Sequence, residues 1–203
     1  LYNKSMKLGP SEGLFSTHKF EGTPSLNNPH PQKGFLYNGA KNPDLDRFFL
    51  SPSHYALTLY AALIETKRLN DKSLKEFNKD GSVLDMIGSE HSPGHETNGG
   101  SFGQTISQAA GVAWARRRKK EKGLVWLFLS DGEFQEGQTW EALMSMAFHK
   151  ISNLKIVVDV NGQQVDGKTC DVMNLEPLLE KISSFGACVK PVSYTHLTLP
   201  TNC

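Results

Sequence analysis

Two apolar runs separated by one amphipathic segment constrain the fold of this chain more than any other feature. The first run, LVWLFL, occupies residues 124–129 without a polar interruption, and the second, LKIVVDV, occupies residues 154–160. An unbroken apolar run is typical of a central strand in a parallel sheet, because such a strand is buried on both faces. The segment between them, Thr139–Lys150, carries Trp140, Leu143, Met144 and Ala147 at helical spacing, and Ile151 continues this stripe directly after it.

These three segments form a β-α-β unit, so the two strands are expected to be parallel and the crossover right-handed. The sequence therefore predicts an α/β fold in which a doubly wound, mostly parallel sheet is flanked by helices.

Polar residues follow both predicted strands. Asp131 comes directly after the first strand and Asn161 directly after the second. Adjacent strands lie about 4.8 Å apart, and ligands of open parallel sheets bind at the edge where the strands end. A carboxylate and an amide oxygen suit Mg²⁺, which keeps coordination places for phosphate oxygens. Gly132 and Gly162 permit close backbone approach. The sequence predicts a magnesium and phosphate site, although Asp-Gly and Asn-Gly are also ordinary turn dipeptides.

The remainder of the chain divides around this unit. Residues 1–45 are rich in Gly, Pro, Asn and Ser and are predicted to be a loop-rich N-terminal segment. Residues 46–190 are predicted to be the binding domain, with a helix near 55–71, a Gly/Ser/Thr/Asn-rich loop at 88–104 and a helix at 105–120. The first helix carries Leu57, Tyr60, Ala61 and Ile64 at helical spacing, and the second has a small-residue face of Ala109, Ala110 and Ala113.

Composition excludes several classes of function. The 22 basic and 21 acidic residues give a net charge of +1, which argues against nucleic acid and against an acidic membrane as a partner.

The run ARRRKKEKG at 115–123 is interpreted as cations at the negative end of a helix dipole, with Gly123 ending the helix. No aromatic residue interleaves with this run to stack on bases. His149, on the crossover helix, is interpreted as a solvated or packing histidine.

Three features that the sequence lacks bear on the cellular compartment of the protein. No apolar stretch is long enough to span a membrane, and no secretory signal is visible. The three cysteines have no metal-ligand spacing, which favours a reducing compartment, so a cytoplasmic protein is expected.

The last residues, VSYTHLTLPTNC, do not continue the pattern of their surroundings. They resemble the translation of a sequencing-library adapter, so residues 191–203 are interpreted as an artefactual tail; an ordinary C-terminal tail is the alternative. On this interpretation His196 and Cys203 carry no function. The domain at 46–190 is then expected to be truncated at its C-terminus, as a fragment of a longer natural protein.

The β-α-β region resembles the thiamine-diphosphate motif of transketolases. The stretch SDGEFQEGQTWEALMSMAFHKISNLKIVVDVNGQQVDG matches the family pattern of an Asp-Gly pair, an E-x-x-E-G-x-x-W-E-A stretch, a helix and a strand ending in Asn-Gly. The resemblance extends to NPDLDRFFLSPSHYALTLYAAL and SPGHETNGGSFGQTISQAAGVAWA, and together it reaches from about residue 42 to residue 189. It implies a thiamine-diphosphate-binding fold, with thiamine diphosphate and Mg²⁺ as cofactors.

The resemblance also implies roles for individual residues. The implied metal ligands are Asp131, Asn161 and the carbonyl of Gln163. The implied cofactor-binding residues are His54, Gly100, Ser101, Phe102, Asp131, Gly132 and Asn161. Two residues are implied to be catalytic: His54, near cofactor and substrate, and Glu136, which links the paired active sites across a dimer. Glu96 matches a buried acid with an architectural role.

The departures from the family pattern concern substrate handling. The first glycine of the motif is Ser130 here. A family histidine in a GHPG segment near the N-terminus has no match, since His18 and His30 lack its context. A second family histidine, in a GHP segment, falls in a loop that is shorter here, where only His91 or His95 could substitute. These departures bear on substrate and activity more than on cofactor binding.

The implied activity is the transfer of a two-carbon ketol unit from a ketose phosphate to an aldose acceptor, both still to be identified. Sugar phosphates are the implied substrates. The implied protein partner is a C-terminal transketolase half, on the same or a separate chain, in a homodimer or heterotetramer. In relatives, that half supplies the glutamate that activates the cofactor, so this chain alone is expected to be inactive. Two alternatives are open: another thiamine-diphosphate enzyme, such as a deoxyxylulose-phosphate synthase or a 2-oxo acid dehydrogenase component, and a non-catalytic partner-binding protein.

Overall fold

The computed structural model describes residues 5–11, 14–22, 25–29 and 32–192. Its main sheet has three strands in the spatial order β1 (Arg47–Leu50), β2 (Val125–Ser130) and β3 (Leu154–Asp159). Both pairings are parallel, so the predicted pairing of the two apolar runs is confirmed. The short run at 47–50, which was not predicted to be a strand, pairs with the other side of β2.

Helices and short turns connect these strands. The α-helices are α1 (Ala56–Glu65), α2 (Thr105–Arg118), α3 (Gly137–Phe148), α4 (Thr169–Val172) and α5 (Leu178–Ser184). Short segments of 3₁₀-helix occupy Gly34–Asn38, Ser53–Tyr55, Asp71–Glu76 and Asp131–Gln135. A small antiparallel hairpin, β4 (Gln163–Gln164) and β5 (Gly167–Lys168), follows β3.

Different helices cover the two faces of the sheet. Val125, Leu127 and Leu129 of β2 pack on one face against buried residues of α2, α3 and α5. Trp126 and Phe128 pack on the other face against a cluster that contains α1. Successive side chains of a strand point to opposite faces, so helices on both sides are needed to bury this apolar run. This arrangement confirms the predicted doubly wound α/β fold.

The faces that α1 and α3 bury differ from the apolar stripes in the sequence. In α3 the buried residues are Thr139, Ala142, Leu143 and Met146, whereas Met144 is 59% exposed. The buried stripe includes a polar residue, Thr139, so a search for apolar periodicity does not find it. Thr139 can be buried because its hydroxyl donates a hydrogen bond to the carbonyl of Glu133 at 2.6 Å. In α2 the small-residue face, formed by Ala109, Ala110 and Ala113, is buried.

In α1 the buried residues are likewise shifted from the predicted stripe. They are Ala56, Leu59, Tyr60 and Leu63. Of the predicted residues only Tyr60 belongs to this set, and Leu57 is 50% exposed. The four buried positions keep the i, i+3, i+4, i+7 spacing of an amphipathic helix, so the error lies in the choice of face and not in the type of element.

The basic end of α2 is partly buried. The Arg116 guanidinium donates to the carbonyls of Asn42, Pro43 and Leu45 and pairs with Glu121 at 2.9 Å, so it ties the loop before β1 to the end of the helix. The helix ends at Arg118, before Gly123. A side chain at Gly123 would clash with the carbonyl of Leu45. The prediction that Gly123 ends the helix is therefore wrong, and close backbone approach explains this glycine.

The N-terminal segment packs against the domain. Its described residues form little regular structure, as predicted, but Met6 and Tyr37 are buried in the cluster around α1. The Tyr37 hydroxyl donates a hydrogen bond to the carbonyl of Ser16 at 2.8 Å, which joins two distant parts of the N-terminal segment. Residues 193–203, and with them most of the tail at 191–203, lie outside the described residues. Within the described ranges, no helix has the length and hydropathy that a membrane span requires.

Candidate functional site

The ends of β2 and β3 bring the two Gly-containing loops into direct contact. Ser130 pairs in register with Asp159, so Asp131 and Asn161 both lie just beyond the same edge of the sheet. Asp131 is 2% exposed, and its carboxylate accepts the N–H of Gly162 at 2.8 Å and the N–H of Gly132 at 2.9 Å. Burial raises the pKa of Asp131, and these backbone N–H groups act in the opposite direction.

Asn161 is held by residues that the sequence did not point to. Its Nδ2 donates to Tyr55 Oη at 2.8 Å and to Asp159 Oδ2 at 3.2 Å, while Tyr55 Oη also lies 3.1 Å from Asp159 Oδ2. Its Oδ1 accepts the N–H of Gln163 at 2.8 Å. Burial, followed by the charge of Asp159, raises the pKa of Tyr55 to about 12, so the phenol stays protonated at neutral pH.

The Gly132 backbone lies against the hairpin that carries Gln163. A Cβ built at Gly132 would lie 3.1 Å from the Cβ of Gln164 and 3.7 Å from the carbonyl oxygen of Gln163. A larger residue at this position would therefore push the hairpin away from the end of β2. The close approach keeps one backbone carbonyl of the hairpin beside the loop that starts at Asp131.

The donor set at this edge suits a hard cation. A carboxylate from Asp131, an amide oxygen from Asn161 and the carbonyl of Gln163 are all oxygen donors, which Mg²⁺ prefers. Among the described residues, no group of three or more His, Cys, Asp or Glu side chains could hold a metal ion. A metal at this edge would therefore have to use amide and backbone oxygens beside the single carboxylate.

The segment at 99–103 packs against the residues that follow β1 and against the residue that follows the turn at 131–135. A Cβ at Gly99 would lie 2.6 Å from the carbonyl of Ser51, and one at Gly103, where φ is 76°, would lie 2.8 Å from the Cβ of Glu136. Glycine is required at both positions, because the first has no space and the second has a left-handed backbone. Between them, Gly100 and Ser101 are exposed.

His54 lies beside this segment. Its ring centroid is 5.8 Å from that of Phe102 and 4.7 Å from that of Tyr55. Partial burial lowers the pKa of His54, so the neutral imidazole is favoured at neutral pH. The structure thus brings His54 and Phe102 together on one side of the edge, and Tyr55 connects them to Asn161.

Glu133 is a buried acid that sequence analysis assigned no role. It is fully buried, and its carboxylate accepts hydrogen bonds from the Ser51 hydroxyl, the N–H of Ser130 at 3.2 Å and the N–H of Gly103 at 3.4 Å. Burial raises its pKa, while these donors act against that rise. It joins the ends of β1 and β2 to the 99–103 segment. The S-x-x-E spacing of Ser130 and Glu133, a capping box, is the sequence signal that could have found it.

The two remaining acids of interest, Glu96 and Glu136, differ in their exposure to solvent. The side chain of Glu96 is only 2% exposed and receives a bidentate ion pair from Arg47, with Arg47 Nε 2.8 Å from Oε1, which fits the architectural role implied for it. Glu136 is exposed at the start of α3. The exposed position is compatible with a contact to another chain, and the implied role at a dimer stays a prediction.

The two histidines considered as substitutes occupy different environments. His95 is 1% exposed, and burial lowers its pKa to about 4. A side chain at Gly88 would clash with its ring, so His95 is a core residue and cannot reach a substrate. His91 is only partly buried, with Nε2 2.7 Å from Asp85 and its ring 4.6 Å from that of Phe20.

The other histidines lie away from the sheet edge or outside the described residues. His18 is partly buried in the N-terminal segment, where burial lowers its pKa. His30 lies outside the described residues. His149 is exposed and contacts the rings of Trp114 and Phe148 at 5.3 and 5.0 Å, which agrees with the predicted packing role.

Comparison with protein families gives one match across most of the chain. The family model "Transketolase, thiamine diphosphate binding domain" matches residues 35–195. A transketolase family protein of Sinorhizobium fredii is 45% identical over 148 residues, which cover 72% of this chain and 53% of that protein. One chain of an apulose-4-phosphate transketolase from Actinobacillus succinogenes is 33% identical over 146 residues, which cover 71% of this chain and 53% of that relative. The chain thus spans about half the length of these curated relatives.

Solved structures give the same result for the fold. A transketolase from Pichia stipitis superposes with a TM-score of 0.67 at 28% identity, over 74% of this chain and 24% of that one. The transketolase of Campylobacter jejuni gives a TM-score of 0.63 at 25% identity, over 72% of this chain and 25% of that one.

Proposed function

Because the chain belongs to the transketolase family through its thiamine-diphosphate-binding domain, we propose that it forms the half of the active site that binds Mg²⁺ and the cofactor's diphosphate. The observation that carries this proposal is the contact between the Asp131 carboxylate and the N–H of Gly162 at 2.8 Å. This contact holds the loops after β2 and β3 together at the sheet edge where ligands of parallel sheets bind.

Mg²⁺ would be held by Asp131, Asn161 and the carbonyl of Gln163, and it would offset the charge of a diphosphate. Gly132 is the proposed diphosphate contact, and its N–H, which here donates to the Asp131 carboxylate, would turn to a phosphate oxygen. The exposed Gly100 and Ser101 leave room beside Phe102 for the rest of the cofactor. Thiamine diphosphate, when bound, supplies the carbanion-stabilising chemistry that ketol transfer requires.

His54 is the residue best placed for contact with a substrate. It is exposed and stands beside Phe102, and its lowered pKa makes it a neutral hydrogen-bonding group. His91 is the second candidate, because Asp85 orients it and it is only partly buried. The loop carrying His91 is anchored next to His54, since the N–H of Gly88 donates to the carbonyl of Ser53 at 3.1 Å.

The proposed reaction is transfer of a two-carbon ketol unit from a ketose phosphate to an aldose. Two similar proteins are named as components of an apulose-4-phosphate transketolase and of a 6-deoxy-6-sulfo-D-fructose transketolase. By analogy we propose a phosphorylated or similarly anionic sugar as substrate, and a separate C-terminal transketolase half as the partner. A paired assembly in the cytoplasm completes this proposal, with Glu136 at the contact between the two sites.

A non-catalytic role is the second candidate, and the burial of His95 favours it because one possible substrate histidine is removed. The other departure, Ser130, carries less weight. Its backbone is extended, with φ of −107°, and its side chain caps the turn at 131–135. A serine is thus accommodated at this position without strain.

Calorimetric titration of thiamine diphosphate into this chain plus a complementary C-terminal half tests the proposal. We expect saturable binding with Mg²⁺ and none with a chelator. Binding without turnover on any ketose phosphate would support the non-catalytic candidate. No Mg²⁺-dependent binding would overturn the cofactor assignment itself.

A further inference from the structure

A cleft lies between the C-terminal ends of α2 and α3, at the edge of the sheet opposite the proposed cofactor site. It is lined by Trp114, Arg117, Arg118 and His149 and encloses about 240 Å³. Helix α3 runs antiparallel to the strands, and its 12 residues separate the two edges by roughly 18 Å. This Trp114 cleft therefore takes no part in the chemistry proposed above.

Large exposed apolar side chains lie in the cleft and on α3 next to it, where Phe148 contacts the ring of His149. Phe148 is 80% exposed, Met144 is 59% exposed and Trp114 is 42% exposed. Met144 and Phe148 are four residues apart on α3, so they form one continuous stripe along the helix. Contiguous exposed apolar surface rimmed by polar groups marks a site of macromolecular interaction.

The rim of the cleft is strongly basic. Arg117 and Arg118 line it, and further exposed cations lie close by in the chain, namely Lys119, Lys120, Lys122 and Lys150. The nearest acid on the same stretch, Glu121, is already paired with the buried Arg116. A second copy of this chain would meet the same positive charge, so self-association through this face is disfavoured.

Two contacts argue against nucleic acid as the occupant. Nη1 of Arg117 already donates to the carbonyls of His149, at 2.9 Å, and Lys150, so a phosphate could engage only the remaining N–H groups of this guanidinium. Arg118 lies 5.7 Å from the Trp114 ring, which His149 also contacts, so a base that stacks flat on this ring would have to displace one of these two side chains. The apolar stripe of Met144 and Phe148 instead matches the side of an amphipathic helix.

We propose that the Trp114 cleft is a docking site for an acidic amphipathic helix of a partner protein. Its apolar side chains would cover Phe148, Met144 and Trp114, and its carboxylates would face the basic rim. The proposal is independent of cofactor binding, because the cleft and the proposed site lie at opposite edges of the sheet.

Fluorescence anisotropy with a labelled synthetic peptide tests this proposal on the full chain. The probe is a helical peptide of about five turns, with Leu and Phe along one face and Glu elsewhere. We expect saturable binding that weakens about tenfold or more in Phe148→Glu and Arg118→Glu. The matched control Leu26→Glu changes a side chain that is fully exposed elsewhere on the surface, and its affinity is expected to equal that of the wild type.

Two comparison probes decide whether the helix pattern matters. A peptide of the same composition with the apolar residues scattered around the helix is expected to bind at least about tenfold more weakly. Equal binding of both peptides, or equal binding to wild type and Phe148→Glu, would overturn the proposal. Tighter binding of a single-stranded oligonucleotide of equal charge would also overturn it and would make the cleft a nucleic-acid site.

Discussion

Tyr55 and Asn161, which lie 106 residues apart in the chain, are joined by a hydrogen bond of 2.8 Å from Asn161 Nδ2 to Tyr55 Oη. Asp159 completes the arrangement by accepting from both side chains. The amide nitrogen of Asn161 is thereby held at the phenol, which fixes the orientation of its oxygen. Groups that orient a metal ligand in this way affect metal affinity without touching the metal.

Removing the phenol oxygen is predicted to weaken metal binding. In Tyr55→Phe the amide of Asn161 loses one acceptor and can rotate, so the affinity for Mg²⁺ together with thiamine diphosphate should fall about tenfold. Calorimetric titration with the complementary half present measures this change. Tyr37→Phe is the matched control, because Tyr37 donates to the carbonyl of Ser16 on the N-terminal segment. Equal losses in both variants, or none in Tyr55→Phe, would contradict a positioning role for Tyr55.

Asp131 is predicted to bind the metal and also to stabilise the loop that contains Gly162. Asp131→Ala should abolish metal-dependent cofactor binding, and it should also lower the free energy of unfolding by about 1–3 kcal/mol, because the N–H of Gly162 loses its acceptor. Titration calorimetry and urea unfolding separate the two effects. Asp166→Ala, which removes an exposed acid from the adjacent hairpin, should change neither measurement. Unchanged cofactor affinity in Asp131→Ala would refute the metal assignment.

Glu133 is predicted to stabilise the fold as a hydrogen-bond acceptor. Glu133→Gln replaces one accepting oxygen with an NH₂ group, which would face one of the donors Ser51, Ser130 or Gly103. Because the site is fully buried, the free energy of unfolding should fall by about 1–3 kcal/mol. Urea unfolding measures the loss. The exposed Glu141→Gln on α3 is the control, and a similar small change in both variants would argue against the role.

His95 is predicted to make stability depend on pH. Its pKa is about 4 in the folded chain and near 6.5 when unfolded, so the unfolded chain binds the extra proton between these values. The contribution of His95 to stability is therefore complete above pH 6.5 and is lost as the pH falls toward 4, by at most about 1.4 kcal/mol per unit. Glu133 has a raised pKa and acts in the opposite direction. The informative quantity is therefore the difference in slope between wild type and His95→Gln.

Urea unfolding at several pH values between these limits gives that slope. Wild type is expected to lose more stability on acidification than His95→Gln. The exposed His149→Gln should keep the wild-type slope. Parallel slopes for wild type and His95→Gln would show that His95 titrates normally.

Glu136 is predicted to act at the contact between paired copies. In Glu136→Ala, pairing should weaken by more than metal binding does, because the side chain is exposed and bonded to no described metal donor. Sedimentation velocity at low protein concentration measures pairing, and calorimetry measures metal binding. Dimers that stay intact at the lowest concentration would count against this role.

The sequence determined the parts of this protein that depend on local pattern. An unbroken apolar run, a segment at helical spacing and a second run fix β2, α3, β3 and their parallel pairing. Asp131 and Asn161 follow from that pairing, since residues after parallel strands share one edge of the sheet. The motif around Trp140 is equally local, and the family that it resembles is the one whose model matches residues 35–195.

Only the tertiary structure decided which distant segments meet. Nothing in the local pattern indicates that Tyr55 reaches Asn161, that Glu133 collects donors from three segments, or that His95 lies in the core. The same holds for Trp114 and His149, which are separated in sequence and form one cleft. Side-chain periodicity specifies the type of an element and a candidate face, whereas packing density and the burial of polar groups select the neighbours across elements.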